Sequence, residues 1–349
     1  MDRSAMKTTG PRTTPPEVHE GLTLETFVLE GMRGHPEATG AFTSLLNQIG
    51  TAVKIISARV RSAGLGDALG YTGATNVQGE RVQKLDQYAN DVMVNVLERR
   101  GHCRAVASEE MAEPLLTSQA PGARYVVLFD PIDGPSNIDV GVSIGTIFAV
   151  ARGLGPVDAT PQLLRPGREL LAAGYALYGS TTMLVLSTGL DDGVHGFTLD
   201  PSVGEFFLSH ENLRCPTQGD TYSLNEGNQA RWSAAVQRWN AWLKTPGDAP
   251  TRPFAQRYVG SLVADAHRTL LKGGIFVYPA DQNNPEGKLR LLYEANPMAF
   301  LFEAAGGAAT DGTLRILDLM PHSVHQRTAL ALGSARDVEV FAQFMRSEG

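Results

Sequence analysis

Residues Tyr125–Asp139 read YVVLFDPIDGPSNID. The first five are β-branched or aromatic, the composition of a buried strand. Asp130 and Asp133 follow immediately, three positions apart. Two carboxylates brought to the C-terminal end of a strand repel each other unless a cation lies between them. Gly134, Pro135, Ser136 and Asn137 are turn chemistry. The stretch therefore predicts a strand that carries acids to a metal at the edge of a sheet. A D-P-x-D-G segment alone is about as often a plain turn as a metal site, so the rest of the chain decides.

Two further acidic positions end or follow apolar runs. Glu109 and Glu110 come after the strand-like AVAS, and Glu294 opens a helical pattern after KLRLLY. An isolated Glu-Glu pair is usually a solvated surface pair. Here each acid stands at the end of an apolar run, and basic residues (Arg257, Lys288, Arg290) appear in the second half. Hard divalent cations take oxygen ligands and keep waters that a phosphate can replace. Hydrolysis of a phosphate monoester needs neutralised charge, a polarised phosphorus and an activated water. One half would supply metal ligands and the other phosphate binders.

Around these positions the patterning is layered. Residues 43–62 place Leu45, Leu46, Ile49, Val53, Ile56 and Val60 on one helical face, with Thr43 as N-cap. A Gly/Thr/Asn-rich stretch over 63–80 reads as a long mobile loop. Leu85, Tyr88, Val92 and Val96 mark a second helix, and β-rich runs follow at 124–129, 142–151, 171–178, 183–187 and 205–208. The Gly/Pro-rich piece 153–168 reads as a surface connection. Beyond about 210 helix and strand alternate: helices at 259–272 and 294–305, strands at 274–278 and 328–333. Helix, sheet and helix in succession, twice, predict a layered α/β architecture.

The chain has 349 residues, 42% of them apolar, and a formal charge of −7. That size allows two domains, and the charge argues against nucleic acid as the main partner. No run approaches the length of a membrane span. Residues 1–22 are polar, Thr- and Pro-rich, without an apolar signal core, and read as a disordered tail. Basic and hydroxyl residues in its first dozen positions give only weak support to a transit peptide. Two cysteines, Cys103 and Cys215, have no metal-site or disulfide spacing, which fits a reducing, cytoplasmic setting.

With these motifs in place, the chain resembles class I fructose-1,6-bisphosphatase. The matching stretches are ASEE (107–110), FDPIDGPSNID (129–139), AAGYALYGSTTMLVL (172–186), YSLNEGN (222–228), RYVGSLVADAHRTL (257–270) and GGIFVYPADQNNPEGKLRLLYEANPMAF (273–300). The resemblance implies a layered αβαβα sugar-phosphatase fold, two mixed sheets sandwiched between helix layers. A domain over 23–210 would carry metal ligands and an AMP site, and one over 211–349 the substrate site. It implies hydrolysis of the 1-phosphate of D-fructose 1,6-bisphosphate in gluconeogenesis or the Calvin cycle. The cofactor would be Mg²⁺, two or more per subunit, with Mn²⁺ as a substitute.

Carried over residue by residue, the resemblance makes Glu109, Asp130, the Ile132 carbonyl, Asp133 and Glu294 metal ligands, with Glu80 where relatives often have Asp. Glu110 and Asp86 would activate the attacking water. Gly134, Pro135 and Ser136 would border the phosphate. Asn225, Tyr258, Tyr278 and Lys288 would hold the sugar and its 6-phosphate. Arg257 would reach a neighbouring subunit's 6-phosphate, implying a homotetramer, and Arg290 would lie near the phosphate being removed. Without the resemblance, Tyr258 and Tyr278 would be ordinary half-buried aromatics, Lys288 a solvated lysine and Arg257 half of a weak surface pair. His267 reads as a packed histidine, and nothing is assigned to His322 or His325.

Thr39, Gly40, Phe42 and Thr43, with Arg124, Tyr125 and Arg152, resemble the family's AMP-binding positions, a helix N-terminus being suited to a phosphate. A plain N-capped helix is the competing reading of that segment. Two positions depart from the family pattern. Pro135 stands in a D-G-S-S position and has no N–H, and Asn228-Gln229 stand where relatives carry a Tyr. Both bear on substrate choice. A sedoheptulose-1,7-bisphosphatase or a dual-specificity enzyme is therefore the close alternative, and a noncatalytic AMP- or sugar-phosphate-binding regulator the distant one.

Overall fold

The computed structural model describes residues 21–32, 40–65, 69–75, 81–99, 101–117, 123–153, 163–247 and 252–347. Residues 1–20, Thr39, Glu80 and most of the 153–168 connection lie outside them. Of the stretch expected as tail, Gly21 and Leu22 are described: the Leu208 N–H donates to the Leu22 carbonyl at 2.9 Å, and next to it Thr23 bridges to Phe207.

Five layers follow one another. The outermost helices, Ala41–Arg61 and Lys84–Glu98, lie on one face of an eight-stranded sheet. Its strands run in the spatial order Glu205–Leu213, Val194–Asp200, Thr182–Ser187, Leu170–Tyr178, Ile144–Arg152, Tyr125–Asp133, Cys103–Ser108 and Leu115–Leu116. Helices Leu262–Lys272 and Asn296–Ala304 fill the middle. The second sheet is five-stranded, ordered Ala255–Gln256, Thr221–Ser223, Ile275–Tyr278, Leu330–Gly333 and Ala308–Thr310. Helices Ala234–Lys244 and Ala335–Arg346 cover its far side. Both sheets are mixed. In the first, Cys103–Ser108 runs parallel to Tyr125–Asp133; in the second, Thr221–Ser223 runs parallel to both its neighbours.

Period-two alternation sorts the side chains between layers. Phe129, Phe148, Leu184 and Leu186 pack toward the outer helices, while Ile147, Tyr175 and Val185 pack inward. In the second sheet Phe276, Leu330 and Leu332 face the middle helices, and Ile275, Val277 and Ala331 face the outer pair. Each fully buried Leu, Ile, Val or Phe among them contributes about 1.5–3 kcal/mol.

Several elements were not foreseen. Within 63–80, expected as loop, Tyr71–Thr75 pairs with Arg81–Gln83; its Thr-Gly-Ala-Thr composition lacks the bulky residues that mark a strand. Val194–Asp200 pairs with a strand that runs from Glu205 to Leu213, beyond the expected 205–208. Helix Ala234–Lys244 buries Val236, Trp239, Asn240 and Leu243, with Ser233 as its N-cap. Trp239 meets Phe341 of the last helix edge-on, ring centres 4.9 Å apart.

His267 is packed, as read. The Tyr175 hydroxyl lies 2.8 Å from its Nδ1 inside the middle layer. Burial, aided by His210, pulls its pKa from 6.5 to about 4. The folded state thus favours neutral imidazole, and this contribution is complete above pH 6.5 and is lost as the pH falls toward 4. Between pH 7 and 5 the loss is on the order of 2 kcal/mol. Urea midpoints measured across that range should fall less in His267→Gln than in the wild type; equal slopes would show that folding leaves the His267 pKa unchanged.

Candidate active site

The site begins with a bulge. Asp130 pairs with Ile147 and Asp133 with Gly145, so three steps on one strand oppose two on the other. In a regular strand residues three apart face opposite sides. The extra residue at Pro131–Ile132 returns Asp133 to the side of Asp130. The Thr146 hydroxyl donates to the Pro131 carbonyl at 2.7 Å and holds the bulge. Proline suits this position because it has no N–H to offer the ladder.

Asp133 meets the start of helix Leu262–Lys272. It accepts from the Ser261 hydroxyl (2.6 Å) and from the N–H groups of Leu262 (3.1 Å) and Val263 (2.8 Å). Such close approach needs Gly145, where a Cβ would stand 2.5 Å from the Val263 side chain. Gly134 turns the chain at φ +74°, which favours glycine, with Ser261 3.0 Å from where its Cβ would be. Pro135 then opens the short 3₁₀ turn Pro135–Asn137, at a position where helices leave an N–H unpaired in any case. The N–H groups of Asn137 and Ile138 close that turn onto Gly134 and Pro135, so Ser136, exposed at the cavity, is the donor this loop offers.

The other acids arrive from neighbouring elements. Glu109 and Glu110 follow Cys103–Ser108, whose parallel partner is the Asp130 strand. Both C-terminal ends therefore open at one edge, where α/β sheets bind ligands. Asp86 projects from the first turn of Lys84–Glu98. Glu294 lies in a π-turn, Leu291–Ala295, ahead of the helix that was expected to start with it. Arg290 joins them: its guanidinium is 2.7 Å from Glu109 and 3.8 Å from Glu294, and its N–H donates to Glu294 at 2.6 Å. Arg290 is thus a buried counter-cation to two of the acids in this cavity.

One carboxylate is left over. Asp130 is 2% exposed, and its Oδ1 has no hydrogen-bond partner among the described residues. Burial first, then the charges of Glu109, Glu294, Asp133 and Asp86, push its pKa well up. Asp130, Asp133 and Glu294 each present an oxygen within 4.8 Å of the others. A buried, unpartnered carboxylate oxygen among other acids fits a hard divalent cation, which would restore the lost solvation.

The cavity they line holds about 440 Å³ and continues to Asn225, Tyr258, Tyr278 and Lys288. Lys288 Nζ lies 5.8 Å from the centre of the Tyr278 ring. Tyr258 is hydrogen-bonded to Asn225, yet burial, with Tyr278 and Asp265 nearby, raises its phenol pKa to about 12. The cavity thus has an acidic end with one arginine and a polar end with an aromatic wall and a lysine.

Of the expected site residues, Asp86, Glu109, Glu110, Asp130, Ile132, Asp133, Gly134, Pro135, Ser136, Asn225, Tyr258, Tyr278, Lys288, Arg290 and Glu294 all line this cavity. Arg257 stands outside it, exposed on the adjacent loop. Glu80 lies outside the described residues. At the other end of the first sheet, Gly40 and not the expected Thr43 caps helix Ala41–Arg61, at φ 73°; Phe42 packs 5.6 Å from Tyr125, and Thr43 is buried in the first turn of the helix. Tyr125 pairs with Arg152, and both Arg124 and Arg152 are exposed.

Two residues were missed. Ser261 both caps its helix and donates to Asp133. Asp265 accepts the N–H groups of Val259 and Gly260 at 2.9 Å, fixing the loop that presents Tyr258. Their signal was a Ser followed by Asp four positions on, an ordinary helix start.

Comparison with known proteins agrees with this geometry. Residues 22–211 match the family described as fructose-1-6-bisphosphatase, N-terminal domain, and residues 215–346 its C-terminal domain. A "Fructose-1,6-bisphosphatase class 1" of Sorangium cellulosum is 63% identical over 94% of both chains. One of Chlorobium luteolum is 48% identical over 93% of this chain and 97% of its own. The crystal structure of Leishmania major fructose-1,6-bisphosphatase in holo form superimposes with a TM-score of 0.87 at 40% identity, covering 94% of this chain and 99% of that one. The chain belongs to the class 1 fructose-1,6-bisphosphatase family, and with it to the phosphoric monoester hydrolases.

Proposed function

We propose that the cavity removes the 1-phosphate of D-fructose 1,6-bisphosphate by Mg²⁺-dependent attack of water at phosphorus. The observation that carries this is the unpartnered Asp130 oxygen among four other acids, at one end of a cavity whose other end is polar and basic. Glu109, Asp130, the Ile132 carbonyl, Asp133 and Glu294 would hold the cations, and Glu80 could join them. Bound Mg²⁺ would neutralise phosphate charge and stabilise the leaving alkoxide. Glu110, with Asp86 beside it, takes the proton from the attacking water. Ser136 donates to the phosphate, and Arg290 offsets charge as the P–O bond lengthens. Asn225, Tyr258, Tyr278 and Lys288 hold the sugar and its 6-phosphate, and residues 211–349 supply most of that end.

No covalent enzyme intermediate is needed. The two thiols are buried, with pKa values raised to about 12 at Cys103 and about 11 at Cys215. In ¹⁸O-labelled water, one label should enter the released phosphate and none the fructose 6-phosphate. Label in the sugar would show cleavage of the C–O bond and overturn the mechanism.

Lys288 binds a group that does not react. Lys288→Met should raise KM for the bisphosphate by about 10- to 100-fold, the scale of one charge-assisted hydrogen bond. Its kcat should stay within about threefold. A fall in kcat at unchanged KM would remove Lys288 from the 6-phosphate.

Three extensions rest on the same likeness. Arg257, exposed beside the cavity, suits a homotetramer in which it completes a neighbour's site. Gly40, Phe42 and Thr43 with Arg124, Tyr125 and Arg152, joined by Thr39, suit AMP as an inhibitor. Pro135 and Gln229 keep sedoheptulose bisphosphate open as a second substrate, and rates on the two sugars decide that. Asn228 is bonded to Arg231, which also pairs with Asp281 at 3.5 Å.

A further inference from the structure

The acids come from separate segments, and something must hold those segments in register. His325 lies between two of them. Its Nδ1 is 2.8 Å from the Tyr293 hydroxyl, and its Nε2 is 3.2 Å from the Ala112 carbonyl. Tyr293 immediately precedes Glu294 and is fully buried in the π-turn. Ala112 is two residues beyond Glu110. A carbonyl can only accept, so Nε2 carries the proton toward Ala112. In the neutral ring Nδ1 is then the acceptor, and the Tyr293 hydroxyl donates to it.

The segment bearing His325 is itself tied to the Glu294 turn. The Leu291 N–H donates to the Gln326 carbonyl at 2.8 Å. Beyond it, Leu289–Arg290 pairs antiparallel with Arg327–Thr328. On the opposite side, the Glu109–Glu110 turn is closed by the Met111 N–H to the Ser108 carbonyl (3.3 Å) and the Glu110 N–H to the Ser108 hydroxyl (3.3 Å). The His325 bridge joins these two braced turns where no strand pairing does.

We propose that His325 is a positioning residue, which through Tyr293 on one side and the Ala112 carbonyl on the other sets the spacing between the Glu109–Glu110 turn and Glu294. It rests on the phosphatase reading above and adds a residue that touches neither substrate nor cation. Groups that orient metal ligands from behind typically change metal affinity or activity about 10- to 100-fold when removed. At the sugar end Asn225, Tyr258 and Tyr278 stand on other segments, and Lys288 precedes a strand that keeps its own pairing, so sugar affinity should not follow.

The test is made on the full-length protein, with Mg²⁺ affinity measured by calorimetry without substrate and phosphate release measured against Mg²⁺ and against fructose 1,6-bisphosphate. His325→Leu should raise the Mg²⁺ concentration for half activation about 10-fold and lower kcat, with KM for the sugar within about twofold. Tyr293→Phe, which keeps the packing and removes only the hydroxyl, should move the same two quantities by less. The double variant should be no worse than His325→Leu, because both changes cut one bridge. His325→Gln keeps a donor for the Ala112 carbonyl and should recover part of the loss. If His325→Leu does not fold, Tyr293→Phe and His325→Gln carry the test. Unchanged Mg²⁺ dependence and kcat in the folded variants, or a loss seen only in melting temperature, would overturn the proposal. Absence of Mg²⁺-dependent phosphate release in the wild type would instead overturn the reaction it rests on.

Discussion

Asp130→Asn should lower turnover by about 10³-fold or more and, at the same time, make the metal-free protein more stable. The first effect follows from removing a charge that organises transition-state stabilisation, a loss on that scale when a single such group is deleted. The second follows from burial. The Asp130 carboxylate lies among four other acids, with one oxygen unpartnered. Its ionised form therefore costs stability in the absence of a cation. Asparagine keeps the shape and removes the charge. The metal-free melting temperature should rise by a few degrees, as about 1–2 kcal/mol would produce in a domain of this size. The increase that Mg²⁺ causes in the wild type should shrink or vanish. A less stable metal-free variant, or one that still turns over at a tenth of the normal rate, would mean that Asp130 is a structural acid.

Glu110→Gln should lose about 10²- to 10⁴-fold in kcat, the usual contribution of a general base, without the stability signature of Asp130→Asn. Glu110 lines the cavity but is only half-buried, and its turn is closed by its own N–H to the Ser108 hydroxyl and by the Met111 N–H to the Ser108 carbonyl, groups that the substitution leaves alone. The melting temperature and its response to Mg²⁺ should both match the wild type. The contrast between the two variants separates a ligand from a base. Near-normal turnover, or a lost Mg²⁺ response, would reassign Glu110.

Much of this was legible in the residues, and the reasons differ by element. The strand before Asp130 and the turn after Asp133 were plain, because β-branched runs and Gly-Pro-Ser-Asn have few other uses. What no pattern showed is why two acids at odd spacing share a side. That depends on a bulge whose register is set by the partner strand. Arg290 was placed in the site, but its pairing with Glu109 and Glu294 depends on the π-turn, a feature without a sequence period. Helix Ala234–Lys244 carried its signal at Val236, Trp239 and Leu243, interrupted by the buried Asn240. Ser261 and Asp265 carried no assignment of their own within the helix read at 259–272, and nothing was assigned to His325. Their roles come from what the fold sets against them, which local patterning does not encode.

The central claim is that these converging acids bind divalent cations for phosphate hydrolysis. Its most direct measurement is phosphate release from fructose 1,6-bisphosphate by protein stripped with EDTA and then titrated with Mg²⁺. No release before Mg²⁺ is added, with saturable recovery in the wild type and almost none in Asp130→Asn, is the predicted result. Equal rates with and without the cation would contradict it.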